Sequence, residues 1–163
     1  MSTFSKAAPF IDAPFLFRDL GHWNKVLDAD ILKPVADEIA TKADVMLIGY
    51  AGGGTRNIFA NKSARNMAEL KGLKVRVYDQ NLAKFFESLG ATPVPIAFAE
   101  THQSLSLGVV DCAVTGPSSA NSAGWPEVST HYLPIGFQIA LNGYGITLAA
   151  WNKLKPDQQK KFQ

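Results

Sequence analysis

The sequence predicts an α/β protein with a mostly parallel sheet, and three observations carry that prediction. Between Leu73 and Thr115, short apolar runs alternate with amphipathic stretches, the pattern of strand-helix-strand units. Hydrophobic residues make up 47% of the 163 residues and charged ones only 18%, a profile that buries a core in one compact domain's worth of chain. The longest apolar stretches, Asp44 to Tyr50 and Gly136 to Leu141, fall far short of the roughly 20 residues a membrane-spanning helix needs. Sixteen Lys plus Arg against 14 Asp plus Glu leave a formal charge of +2, a balance that favours no nucleic acid or other polyelectrolyte partner.

The N-terminus lacks the unbroken apolar run and small-residue cleavage site of a secretory signal, so the chain as written is expected to stay in the cytoplasm. Arg18 to Asp28 and Asp30 to Ala43 carry apolar residues at helical spacing: Leu20, Trp23, Val26 and Leu27, then Ile31, Val35 and Ile39. Val45 to Ile48 is a short apolar run that reads as a buried strand. It is expected to enter a glycine loop over Ala51 to Asn57 and to resume as a strand over Thr55 to Ala60. Asn66 to Glu69 has the form of a capping box, and Gly72 stops that turn before a strand over Leu73 to Tyr78. Asp79 is placed to cap a helix with Leu82, Phe85, Phe86 and Leu89 on one stripe, ended by Gly90. Pro93 to Ala97 is extended, Glu100 to Leu107 helical, and Val109 to Thr115 a strand. A Ser/Ala/Asn-rich helical segment then runs to about Trp125. Two strands, around His131 to Gln138 and Leu141 to Leu148, precede a last helix over Asp157 to Phe162, with Pro156 in its first turn.

Several residues invite chemistry. Gly52 to Gly54 suggests a phosphate loop, but neither the Walker pattern nor G-x-G-x-x-G is met, because Asn57 stands where the third glycine belongs. Cys112 is the one cysteine, which excludes an intramolecular disulfide. With His102 or His131 it would make a nucleophile and base, while its place in an apolar run suits a small core residue. His22, His102 and His131 are too scattered for a metal site, and no cofactor is expected. Arg56 and Arg76 each sit at the edge of an apolar segment beside glycine or aromatic residues. A guanidinium pairs bidentately with a carboxylate, so both are candidates for an anion site as well as for surface positions on a strand.

Pro14-Phe-Leu-Phe-Arg-Asp, Gly54-Thr-Arg56, Leu70-Lys-Gly-Leu-Lys-Val-Arg-Val77, Leu89-Gly-Ala-Thr-Pro-Val-Pro-Ile-Ala-Phe-Ala-Glu100 and Ser104-Leu-Ser-Leu-Gly-Val-Val-Asp111 follow one another in the order of a known family. The chain resembles the solute-binding proteins of TRAP transporters, the tripartite ATP-independent periplasmic carriers of organic acids. The resemblance implies a two-lobed α/β clamshell of the type II periplasmic binding-protein kind, here truncated at both ends. Residues 1–53 would belong to lobe I, 54–140 to the more complete lobe II, and 141–163 would return into lobe I.

The same resemblance implies no bond chemistry and a periplasmic location for the full-length member. It also implies a small organic acid held between the lobes and delivered to integral-membrane permease subunits. Arg76 would hold the ligand carboxylate in an open, watered cleft, with Arg56 as a second cation. Two departures stand out: Tyr78 replaces the proline usual after the arginine segment, and Thr115 offers a short hydroxyl where many members carry Asn. Phe98, Trp125 and Phe137 are placed either as aromatic walls, favouring an aromatic or branched carboxylate, or as ordinary core residues. The rival readings are a cytoplasmic hydrolase-like enzyme with Cys112 as nucleophile and a fragment that binds nothing.

Overall fold

A computed structural model describes Ser5 and residues 8–162. The chain divides into two compact units: unit 1 comprises residues 1–12, 16–53 and 141–163, and unit 2 comprises residues 13–15 and 54–140. Among the described residues, no helix is long and apolar enough to cross a membrane.

Unit 1 holds a short helix α1 (Ala8–Ile11), α2 (Leu20–Asp28) and α3 (Lys33–Ala43). Asp19 caps α2 by accepting the His22 N–H at 2.7 Å, and the helix buries Trp23. Asp44 ends α3 in the left-handed region at φ 55°, where a short polar side chain is tolerated. The long strand β1 (Val45–Ala60) follows and carries the chain from unit 1 into unit 2.

Unit 2 continues with β2 (Lys74–Val77), α4 (Gln80–Ser88), β3 (Thr92–Pro95), α5 (Thr101–Ser106), β4 (Cys112–Thr115), α6 (Pro117–Ser122) and α7 (Trp125–Val128). The second long strand, β5 (His131–Thr147), returns to unit 1, where α8 (Leu148–Trp151) and α9 (Pro156–Gln159) close the chain. The sheet order is β3-β2-β4-β1-β5. β2 pairs parallel with both β3 and β4, whereas β1 pairs antiparallel with β4.

The sheet is therefore mixed: β2 keeps the parallel pairing that the alternation suggested, and β1 adds an antiparallel one. The reason is that β1 reaches β4 as a long strand and not through a crossover helix, so nothing forces the parallel direction. The glycine stretch is not a loop either: β1 runs unbroken through it, and Gly54 absorbs the irregularity at φ +75°. The two strands expected over 131–148 are likewise one. The Asn66 cap forms as a 3-10 turn, with its Oδ1 accepting from Ala68 and Glu69 N–H, but the Glu69 carboxylate reaches the Arg65 N–H instead of closing a reciprocal box.

Register sorts the strand residues of unit 2 into two faces, because in-register neighbours point the same way. One face carries Ile58, Ala60, Val75, Val77, Cys112 and Val114, packed under Leu82 and Phe86 of α4 and against Phe137. Phe59 and Ala113 lie on the other, packed against Leu105 of α5, Ala120 of α6 and Trp125 of α7. Arg76 falls in register with Ala113 and with Val94, so the sheet turns it toward this second face.

Asp111 ties β4 to its neighbours below the site, accepting from the Lys74 N–H at 2.9 Å and pairing with Lys62 Nζ at 2.7 Å. Burial opposes its ionisation, but the Lys62 and Lys74 contacts outweigh that and hold the carboxyl below its ordinary 3.8. A depressed acid pKa stabilises the fold fully above the unfolded value, and the contribution fades as pH falls below that value through the folded one. Urea midpoints followed from pH 6 to 3 should therefore drop more steeply for the parent than for Asp111→Asn. Parallel curves would show that Asp111 does not contribute in this way.

Candidate functional site

The arginine end of unit 2 is built by β2, whose backbone is fixed on both sides by β3 and β4. Arg76 is 3% exposed, and its Nε–H donates to the Ile96 carbonyl at 2.9 Å, just beyond the end of β3. Its guanidinium carbon lies 5.8 Å from the ring centres of both Tyr78 and Phe98. Arg56, on β1, lies with its guanidinium carbon 4.5 Å from the Tyr78 ring centre. The Tyr78 hydroxyl donates to Gln138 Oε1 at 3.0 Å. Among the described residues no carboxylate forms an ion pair with either arginine.

Two guanidiniums therefore share one aromatic ring, with no carboxylate paired to either among the described residues. Burial pushes the Arg76 pKa down to about 10; nearby Tyr78 opposes the shift and the Arg56 charge adds to it. Arg76 remains a cation near neutral pH, but a desolvated one. A carboxylate placed against its free N–H donors would offset the cost of that burial.

The other sequence candidates divide. Phe98 is 43% exposed and flanks Arg76, and its ring lies 5.3 Å from Trp125. Trp125 itself is wholly buried, edge-on to Phe59 at 5.9 Å, and so supports Phe98 from the core. Thr115 ends β4 on the Arg76 face, in register with Asn57, whose Oδ1 accepts the Gly136 N–H. Phe137 is packed on the face away from Arg76: it is 1% exposed, stacks on Phe85 at 5.5 Å and meets Phe86 edge-on at 6.0 Å. Trp125 and Phe137 are committed to packing, which leaves Phe98 as the exposed aromatic wall beside Arg76. The open, watered cleft expected around Arg76 is also corrected, because the sheet and the Ile96 carbonyl bury it.

Tyr78 and Gln138 were not among the sequence candidates, although the departure at Tyr78 was visible. The missed signal was position: an aromatic directly after the arginine strand, where the chain leaves the sheet, can reach cations from two strands.

Cys112 is wholly buried, its Sγ 3.7 Å from the Lys74 carbonyl. Burial, then the Asp111 charge, push its thiol up to about 12, against a small opposing effect of Lys62. His131 Nδ1 contacts Thr130 Oγ1 at 2.8 Å and His102 lies 3.9 Å from Glu127, so each histidine is engaged locally. An aromatic disulfide reagent should leave the native thiol unreacted at pH 8 and titrate one thiol in urea. Fast native reaction would revive the nucleophile. Among the described residues no cluster of His, Cys, Asp and Glu could hold a metal ion.

A mixed α/β sheet that brings two guanidiniums to one aromatic ring suits the capture of an anion. The chain matches the family model of bacterial extracellular solute-binding proteins, family 7 (DctP), over residues 1–163, and it belongs to that family. It is 35% identical over 160 residues to a solute-binding protein of Sulfitobacter sp. strain NAS-14.1, covering 98% of this chain and 48% of that protein. A crystal structure of a TRAP periplasmic solute-binding protein from the same strain, with bound α-D-taluronate, superimposes with a TM-score of 0.90 at 34% identity, covering 99% of this chain and 53% of that one. Another from Chromohalobacter salexigens, with bound D-glucuronate, gives 0.89 at 26% identity, covering 99% and 54%. The 2,3-diketo-L-gulonate-binding periplasmic protein of Escherichia coli K12 is 33% identical over 150 residues, covering 90% of this chain and 44% of that protein. The chain thus spans about half the length of the relatives it matches. The family is one of solute-binding proteins, so the hydrolase reading of Cys112 falls.

Proposed function

We propose that the chain is solute-capturing sequence of a TRAP transporter and that Arg76 takes the carboxylate of a sugar acid of the hexuronate or hexonate class. The observation that carries this is the Arg76 guanidinium: buried, charged, anchored through one N–H to Ile96, and without a carboxylate partner among the described residues. Arg56 supplies a second positive charge, Phe98 an exposed apolar edge, and Thr115 a hydroxyl at the end of β4. The acids bound by the relatives are hydroxylated and not aromatic, in keeping with the loss of Trp125 and Phe137 as walls.

Unit 2 would correspond to lobe II and the stretches of unit 1 to parts of lobe I. The transporter would work outside the inner membrane, handing its ligand to integral-membrane permease subunits. A thermal-shift panel on the 163-residue chain tests the reading. D-Glucuronate and L-galactonate should raise the unfolding temperature by mass action, and the neutral methyl ester of glucuronate should not. Equal shifts with acid and ester, or none with any sugar acid, would refute it.

A further inference from the structure

The Arg56 side chain is an unusual cation. It makes no hydrogen bond to any described residue, and its Nε is buried without an acceptor, although a guanidinium carries five donors. What holds it is the face of Tyr78, 4.5 Å from its guanidinium carbon. At that distance, and with part of the group desolvated, the ring quadrupole attracts the cation directly. Tyr78 is itself fixed at its other end, because its hydroxyl donates to Gln138 Oε1, and Gln138 is 3% exposed. The ring thus stands at the end of a strand as a rigid platform.

We infer that Tyr78 is a positioning residue which holds the Arg56 guanidinium by its ring face, with that cation's N–H donors left for the ligand anion. The inference rests on the sugar-acid reading of the same site. A ring is suited to the task because it orders the cation without consuming any donor, whereas a carboxylate in the same place would neutralise Arg56 and occupy the donors that the ligand needs. It follows that this site tunes its second cation by stacking, at the position where the chain departs from the proline of the sequence pattern.

A double-mutant cycle read by calorimetry with sodium D-glucuronate tests this. Tyr78→Leu should weaken binding about tenfold, the scale of a desolvated cation–π contact, while the same change in an Arg56→Gln background should cost less than about twofold. Tyr78→Phe, which keeps the ring, should recover most of the loss. Equal losses in both backgrounds, or none in either, would overturn the positioning role even where the parent binds the acid normally.

A second readout needs no ligand. The Arg56 Nε–Hε resonance, assigned by Arg56→Gln, should carry an upfield ring-current shift in the parent and in Tyr78→Phe, and lose it in Tyr78→Leu. An unshifted parent resonance would overturn the inference regardless of how the variants fold. A parent with the shifted resonance but no affinity for any sugar acid would instead refute the ligand reading and leave the stacked pair standing.

Discussion

Arg76→Lys is expected to lose on the order of 2 to 5 kcal/mol of carboxylate affinity, more than any other single change to a polar residue of unit 2. The strand fixes the arginine backbone, Ile96 takes the Nε–H, and the remaining N–H donors point as a planar fork. Lysine keeps the charge but has neither the fork nor the Nε, so it can satisfy the carbonyl or the ligand and not both. Arg56→Lys should cost less, since that side chain acts as a stacked second cation. The apo protein should also feel Arg76→Lys: a buried carbonyl that loses its donor costs on the order of 1 kcal/mol. Burial of Arg76 thus gives the side chain a part in stability that an open, watered cleft would not. Calorimetry with sodium D-glucuronate, with urea unfolding alongside, checks both parts. Binding within about twofold of the parent would remove the carboxylate role from Arg76.

Phe137→Ala should destabilise the fold by roughly 3 to 5 kcal/mol. The ring is nearly inaccessible, stacked on Phe85, edge-on to Phe86 and 6.4 Å from Phe15, so truncation opens a cavity on the α4 side of the sheet. Ligand affinity of the fraction that remains folded should fall by less than it does in Arg76→Lys, because this cluster lies on the face away from Arg76 and reaches the site through Tyr78. Phe98→Ala should behave in the opposite way, with little effect on the urea midpoint and a measurable loss of affinity. A Phe137→Ala protein of parent-like stability that has lost binding would make Phe137 a ligand wall after all.

The elements of unit 2 were largely legible because their signals are local. Asp79 caps α4 with its Oδ1 on the Leu82 N–H, Gly90 ends the unit at φ +77°, and Leu82 and Phe86 lie on the buried stripe that spacing assigned. What failed depends on partners distant in sequence. The glycines at 52–54 weaken a strand by propensity, yet β1 runs through them, and its place in the sheet beside β4 and β5 is nothing that a local window shows. Parallel or antiparallel pairing of β1 is set by where the chain arrives, which no window of residues contains. The site was legible in its charges and not in its packing. Arg56 and Arg76 stood out by residue type, but whether Trp125 or Phe137 faced ligand or core turned on helix placement, and Tyr78 gained its role only from cations on two separate strands.

The central claim is that Arg76 meets the ligand's carboxylate directly, and a crystal structure of the 163-residue chain grown with sodium D-glucuronate tests it most directly. The account predicts both carboxylate oxygens within about 3.2 Å of the Arg76 terminal nitrogens, in a parallel two-bond arrangement. A glucuronate whose carboxylate lies elsewhere, with only sugar hydroxyls or nothing against Arg76, would contradict it.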